Sequence, residues 1–179
     1  IDFIRVGSTL NCAPEYRDNL LSERACRCDN ITELRRQTAE ARVYVGTTTA
    51  FNSHIALLSL RQFSLAVIDE ASQILEPHLI GLLSAHCNGV PAIRKTVLIG
   101  DHKQLPAVVQ QSPDVSRVTD KQLNDILLTD CRLSLFERLL RRYRNDESVT
   151  FMLCRQGRMH HKPFPQNLRK CRSEDQKGP

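Results

Sequence analysis

The sequence predicts an α/β fold built on a parallel sheet, and three observations carry that prediction. Short apolar runs with β-branched residues recur at Arg42–Val45, Leu65–Ile68 and Lys95–Ile99. Such runs suit strands buried on both faces. Helical segments separate them, and the resulting β-α-β-α succession argues for a doubly wound sheet with right-handed crossovers. Each run also ends in residues that a core does not need: Thr47-Thr48-Thr49, Asp69-Glu70 and Gly100-Asp101. In open α/β sheets, ligands collect at those carboxyl ends.

Taken in order, Phe3 to Val6 reads as a strand ended by Gly7-Ser8, and Asn11 to Pro14 as a turn. Glu15 to Cys28 carries Leu20 and Leu21 among charged residues and reads as a helix. Asn30 offers an N-cap with Glu33 three residues on, which approximates a capping box and opens a solvated helix from Ile31 to Ala41. The next strand alternates poorly and leads into the three threonines, which either cap the following helix or hydrogen-bond a phosphate backbone. Ala50 to Leu60 reads as a helix packed on the sheet. Pro77 suits the first turn of another, whose apolar face is Leu79, Ile80, Leu82 and Leu83. Asn88 to Pro91 is a turn, and Gln111 to Gln122 a polar surface loop. Arg132 to Arg144 places Leu133, Phe136, Leu139 and Leu140 at helical spacing, with its arginines on a solvated face. Val149 to Leu153 reads as a last strand. From Lys162 onward the chain is polar and is expected to be disordered.

Length and composition bound the class. The 179 residues fit one ordinary domain, and 41% hydrophobic with 25% charged content is that of a globular protein. No apolar run approaches the length of a membrane span, and the N-terminus has no signal-peptide pattern, so no membrane partner is expected. The net charge of +5 fits a phosphate-rich partner weakly, because 20 acids balance most of the 25 bases. Seven scattered cysteines read as reduced thiols of an intracellular protein, cytoplasmic or nuclear. Cys26-Arg27-Cys28 is too closely spaced for a zinc knuckle. His54, His78 and His86 have no partner pattern and are expected to be structural or exposed.

Asp69 and Glu70 form the chemically richest stretch. Two like charges at a strand end are costly to bury, and a cation or a reacting proton relieves that cost. The pair reads as a Mg²⁺-holding Asp followed by a water-activating Glu, or as acids that begin a helix and favour its dipole. A parallel sheet brings the other strand ends to the same edge. That edge collects Asp101 and Gln104 from Gly100-Asp101-His102-Lys103-Gln104-Leu105-Pro106, Gln73, and the arginines of Arg155-Gln156-Gly157-Arg158. Acids for a metal, a Glu for water, Gln and Arg for phosphate charge are the parts that triphosphate hydrolysis uses.

Asp69-Glu70-Ala71-Ser72-Gln73, followed about thirty residues later by Gly100-Asp101-His102-Lys103-Gln104-Leu105-Pro106-Ala107-Val108-Val109, resembles motifs II and III of superfamily 1 helicases. The branch it is similar to, superfamily 1B, includes the nonsense-mediated-decay helicase and the nuclease-helicase of Okazaki-fragment processing. Val45 to Phe51 resembles the motif between Ia and II of that branch, and Gln156 to His160 its Gln-Tyr-Arg-Met-His motif. The resemblance implies a RecA-like P-loop NTPase core that uses ATP and Mg²⁺ and acts on single-stranded DNA or RNA. It implies that Asp69 binds Mg²⁺ through water and that Glu70 is the general base. Gln104 and Arg158 would reach the γ-phosphate. Gln73 and Asp101 would link motifs II and III, and Thr47 and Thr48 would lie near the nucleic acid.

The chain also departs from that pattern. It contains no Gly-Lys-Thr or Gly-Lys-Ser phosphate loop, since Gly7-Ser8-Thr9 lacks the Lys, and position 157 is Gly where Tyr is common. The expectation is an incomplete core lacking the phosphate-loop strand and helix. Residues 1–160 would be a partial first motor domain and 161–179 a polar tail. Such a fragment depends on missing motor segments and is inactive alone; the alternative is a non-enzymatic binding remnant of such a motor.

Overall fold

The computed structural model describes residues 2–104 and 107–153. The chain divides into two units, Ile1–Arg144 and Asn145–Pro179. Two parallel strand pairs organise the first. Strand β1 (Phe3–Val6) pairs with β2 (Val43–Gly46), and β3 (Ala66–Ile68) pairs with β6 (Thr96–Leu98) in the register Ala66↔Thr96, Val67↔Val97, Ile68↔Leu98. A third pair, β4 (His86–Cys87) with β5 (Val90–Pro91), is antiparallel. The structure therefore has the parallel-sheet α/β class of an incomplete RecA-like core. The three pairs are separate two-stranded ladders among the described residues, not one doubly wound sheet.

Helices connect the parallel strands, and local chemistry sets their ends. Helix α1 (Leu21–Arg27) is shorter than the predicted Glu15–Cys28. Pro14–Asn19 forms a 3₁₀ turn instead, and Leu20, with φ −64° and ψ 137°, runs extended and bridges to Arg5. Leu20 is fully buried there, so tertiary burial breaks a helix that composition favours. In α2 (Ile31–Glu40) the predicted cap is in place: Asn30 accepts from the Glu33 amide at 2.9 Å. Arg61 closes the other end by donating to the carbonyls of Ala39 (3.1 Å) and Ala41 (2.6 Å). The predicted helix from Ala50 to Leu60 is two pieces, α3 (Thr48–Ser53) and a 3₁₀ turn at Ile55–Ser59, broken at His54.

Helix α4 (Glu76–Leu83) starts with Pro77 in its first turn, as predicted. The turn at 88–91 is a tight hairpin, with φ of 51° at Asn88 and 79° at Gly89, the pattern of a type I′ turn. The predicted loop from Gln111 to Gln122 instead holds α5 (Pro113–Ser116) and the start of α6 (Lys121–Asp125), each opened by a turn-forming N-cap, Ser112 and Asp120. Helix α7 (Leu135–Arg142) is capped by Ser134, which accepts from the Glu137 amide at 3.1 Å.

Two small cores share Phe51. One joins Ile4, Val6 and Ala41 with Leu21, Tyr44, Ala50 and Leu57; the other joins Leu58, Leu82, Cys87 and Ala92 with Phe63. The strands were expected to be buried on both faces, yet Val45, Val67 and Val97 are 44%, 58% and 45% exposed. In the second unit, Val149–Leu153 is not a strand: Val149 and Thr150 donate their amides to the Asp146 carbonyl in a turn, and no ladder partner is present among the described residues. Residues from Cys154 on, including Arg158 and the predicted tail, lie outside the described residues. No helix among the described residues is long and apolar enough to cross a membrane. The cysteines described, Cys12, Cys26, Cys28, Cys87 and Cys131, are all unpaired thiols.

Candidate functional site

The β3–β6 pair brings two of the predicted segments together. Parallel register places the end of β3, and so Asp69-Glu70, beside the end of β6, and so Gly100-Asp101. Three hydrogen bonds continue the junction beyond the strands. Ile99 donates its amide to Ile68 O (2.9 Å), Ala71 donates to Ile99 O (2.7 Å), and the Asp101 amide donates to Ser72 Oγ (3.2 Å). The junction is tight enough to require glycine at 100. A Cβ there would lie 2.9 Å from the Ser72 amide nitrogen and 3.1 Å from its hydroxyl.

The hydrogen bond between the two segments therefore runs through Ser72 Oγ, while Gln73 makes no side-chain bond across the junction among the described residues. Gln73 donates within its own segment, to Glu70 Oε2 at 3.2 Å. Asp101 organises its own turn in the same way: its carboxylate accepts from the Lys103 amide (2.9 Å) and from Gln104 Nε2 (3.4 Å). Sequence reasoning gave Ser72 no role, because an isolated serine gives no periodic signal.

Glu70 has φ 51° and ψ 35°, the left-handed region that side chains with a Cβ rarely occupy. Asp69 supports it by accepting the Glu70 amide on Oδ1 at 3.0 Å. The following 3₁₀ turn, Ala71–Gln73, buries Ala71 and Ser72. The chain thus dives into the core directly after the two acids and leaves both exposed at the edge. Their exposure means that the burial cost invoked for a like-charged pair does not arise. Glu70→Gly is expected to be more stable than Glu70→Ala by about 1 kcal/mol, since only glycine enters this region freely. Chemical denaturation of the two variants checks it; equal midpoints would show that the left-handed conformer is not populated.

The donor set at this edge fits a hard divalent cation of the magnesium kind. Asp69 Oδ2 accepts no hydrogen bond among the described residues, and carboxylate oxygen is the donor that Mg²⁺ prefers. No group of three or more metal-binding side chains occurs among the described residues. Mg²⁺ is usually held by one or two carboxylates, water and substrate phosphates rather than by a protein cage.

Thr47 and Thr48 stand at a different strand end. Thr47 caps α3, its Oγ1 accepting from the Ala50 amide at 3.1 Å, and Thr48 is the first residue of that helix. The cap reading of the threonines is realised for Thr47. Thr47 is exposed. Gly46, just before them, packs against Val6 O. Gln104 is exposed in the turn after β6, and Leu105 and Pro106 lie outside the described residues.

Sequence reasoning missed one feature beside the site. Glu76 and Arg138 are both buried and form a two-pronged ion pair, Nε to Oε2 at 2.8 Å and Nη2 to Oε1 at 2.5 Å. Arg138 also donates to Ile126 O at 2.9 Å. The arginines of α7 were expected to be solvated, and this one is not. The missed signal is positional: Glu76 is three residues from Leu79 and Arg138 three from Leu135, so each charge sits on an apolar stripe.

Comparison with known proteins places these residues in context. A family model described as an AAA domain matches residues 11–112. The chain is 29% identical over 164 residues to the DNA replication ATP-dependent helicase/nuclease DNA2 of Mus musculus, covering 90% of this chain and 13% of that protein. It is 34% identical over 113 residues to the DNA replication ATP-dependent helicase/nuclease JHS1 of Arabidopsis thaliana, covering 63% of this chain and 8% of the other. An uncharacterized ATP-dependent helicase of Methanocaldococcus jannaschii is 32% identical over 125 residues, 68% of this chain and 15% of that protein. The chain thus spans between 8% and 15% of the length of these three relatives.

Proposed function

The chain belongs to the superfamily 1 helicases through their AAA domain, and from that premise we propose that it carries the metal-and-water edge of an ATP-driven nucleic-acid motor. The observation that carries this reading is the β3–β6 junction, where Asp69-Glu70 and Asp101-Gln104 meet at one sheet edge. Asp69 would hold Mg²⁺ through water. Bound Mg²⁺ would supply charge neutralisation on the phosphate oxygens. Glu70, exposed beside Asp69, accepts the proton of the attacking water as the γ-phosphoryl group leaves ADP. Gln104 contacts the γ-phosphate and transmits its presence, with Asp101 holding the Gln104 side chain. Arg158 supports the same phosphate. Thr47 and Thr48 lie along a single strand of DNA or RNA, where the exposed hydroxyl of Thr47 can reach a phosphate. Relatives that carry the name DNA replication ATP-dependent helicase/nuclease support an intracellular setting, nuclear or cytoplasmic.

Hydrolysis also needs a phosphate cradle, and the sequence contains no Gly-Lys-Thr or Gly-Lys-Ser loop. Without that lysine and its amides, most of the transition-state stabilisation is missing. The chain by itself is therefore a partner of further motor segments rather than an active enzyme. The experiment is ATP turnover by this chain, with and without single-stranded DNA or RNA, beside Glu70→Gln. The expected result is no turnover above the Glu70→Gln control. Nucleic-acid-stimulated turnover abolished by Glu70→Gln would show that another segment, or a second copy, supplies the phosphate grip.

A further inference from the structure

Glu70 sits in a strained backbone that the strand alone does not hold. Glu70 is in the left-handed region, and the turn Ala71–Gln73 that follows is pinned on one side by Ile99 and by the Asp101–Ser72 bond. Helix α7 packs on the same turn. Two contacts hold α7 there. Leu75 forms an antiparallel bridge with Ser134, the cap of α7, and Glu76 takes the guanidinium of Arg138 on both carboxylate oxygens. The third donor of Arg138 goes to Ile126 O, so the side chain is satisfied from two directions at once. A fork of this kind fits only one rotation of α7 and one placement of Glu76, six residues after Glu70.

A buried ion pair of this kind contributes little net stability, because desolvation offsets the attraction. Its use here is positional. We propose that Arg138 is a positioning residue for the motif II acids: through Glu76 it clamps the Ala71–Gln73 turn and thereby holds Glu70 in its left-handed conformer. The inference rests on the function proposed above for what Glu70 does, and on the structure alone for the clamp.

The test is amide hydrogen exchange on the full chain, comparing wild type with the double variant Glu76→Leu/Arg138→Met. Removing both charges together leaves none unpaired, so global stability is expected to stay near wild type. The expected result is exchange about tenfold faster at the amides of Ala71 and Asp101, with the β1–β2 ladder unchanged. Unchanged exchange at Ala71 and Asp101 would overturn the proposal, and so would uniform acceleration across both sheets, which signals only a structural role. Should the double variant fail to fold, Arg138→Lys serves instead. It keeps the charge but loses the fork, and the same local acceleration is expected, smaller in size; its absence overturns the proposal equally. A separate arm measures Mn²⁺ binding by water-proton relaxation in wild type and Asp69→Asn. Equal binding in the two sinks the metal role of Asp69 while the exchange result, which needs no metal or nucleotide, still decides the clamp.

Discussion

Replacing Glu76 with alanine is expected to lower folding stability by about 3–5 kcal/mol, the cost of leaving a buried charge without its partner. Arg138 would keep its bond to Ile126 O but lose both carboxylate contacts, and it is only 8% exposed. Water cannot replace the carboxylate without opening the contact between α7 and the Ala71–Gln73 turn. At this chain length the loss corresponds to a fall of about 10 °C in Tm, measured by circular dichroism or calorimetry. The exposed pairs of the chain provide the contrast. Arg36 bridges Glu33 and Glu40 on α2 and holds the Glu33 carboxyl down at about 2, chiefly through the hydrogen bonds from Arg36 and then Gln37. That pair is solvent-screened, and Arg36→Ala is expected to change Tm hardly at all. If Glu76→Ala proves as mild as Arg36→Ala, the buried pair does not form in solution.

Gly46→Ala is the second large effect. A Cβ at this position would stand 2.6 Å from the carbonyl oxygen of Val6, with Phe51 and the Val6 Cβ both at 3.2 Å. The obstacle is backbone, so no side-chain rotation relieves it. Its φ is outside the left-handed region, so the requirement is one of space between β1 and β2 rather than of conformation. Spreading the pair would also disturb Ile4 and Val6, the centre of one core. The expected loss is about 2–3 kcal/mol, at the upper end for overpacking. Gly81 is the control, because an added Cβ there meets nothing closer than 3.6 Å. In α4, Gly81→Ala is expected to gain up to about 1 kcal/mol from helix propensity. A Gly46→Ala variant as stable as wild type would mean that β1 and β2 are not paired as described.

What the sequence determined by itself was whatever depends on short stretches. The strand runs, the Asn30 cap, Pro77 in the first turn of α4 and the acids at the end of β3 are set by neighbours within a few residues. Local sterics and local hydrogen bonds decide them, so they can be read in order along the chain. The meeting of Asp69-Glu70 with Gly100-Asp101 was legible too, because parallel strands align their carboxyl ends whatever their side chains.

The tertiary structure alone decided the features whose energy depends on residues far apart in sequence. Leu20 leaves a helix-favouring stretch because a fully buried site is available beside Arg5. Ser72, not Gln73, joins the two segments because the hydroxyl of a buried residue faces the amide of Asp101. Arg138 is buried rather than solvated because Glu76, 62 residues away, meets it with both oxygens. A charge on an apolar helical stripe is only an anomaly until its counter-charge is found. Burying it is unfavourable alone and tolerable in a pair, and pairing is a property of the fold.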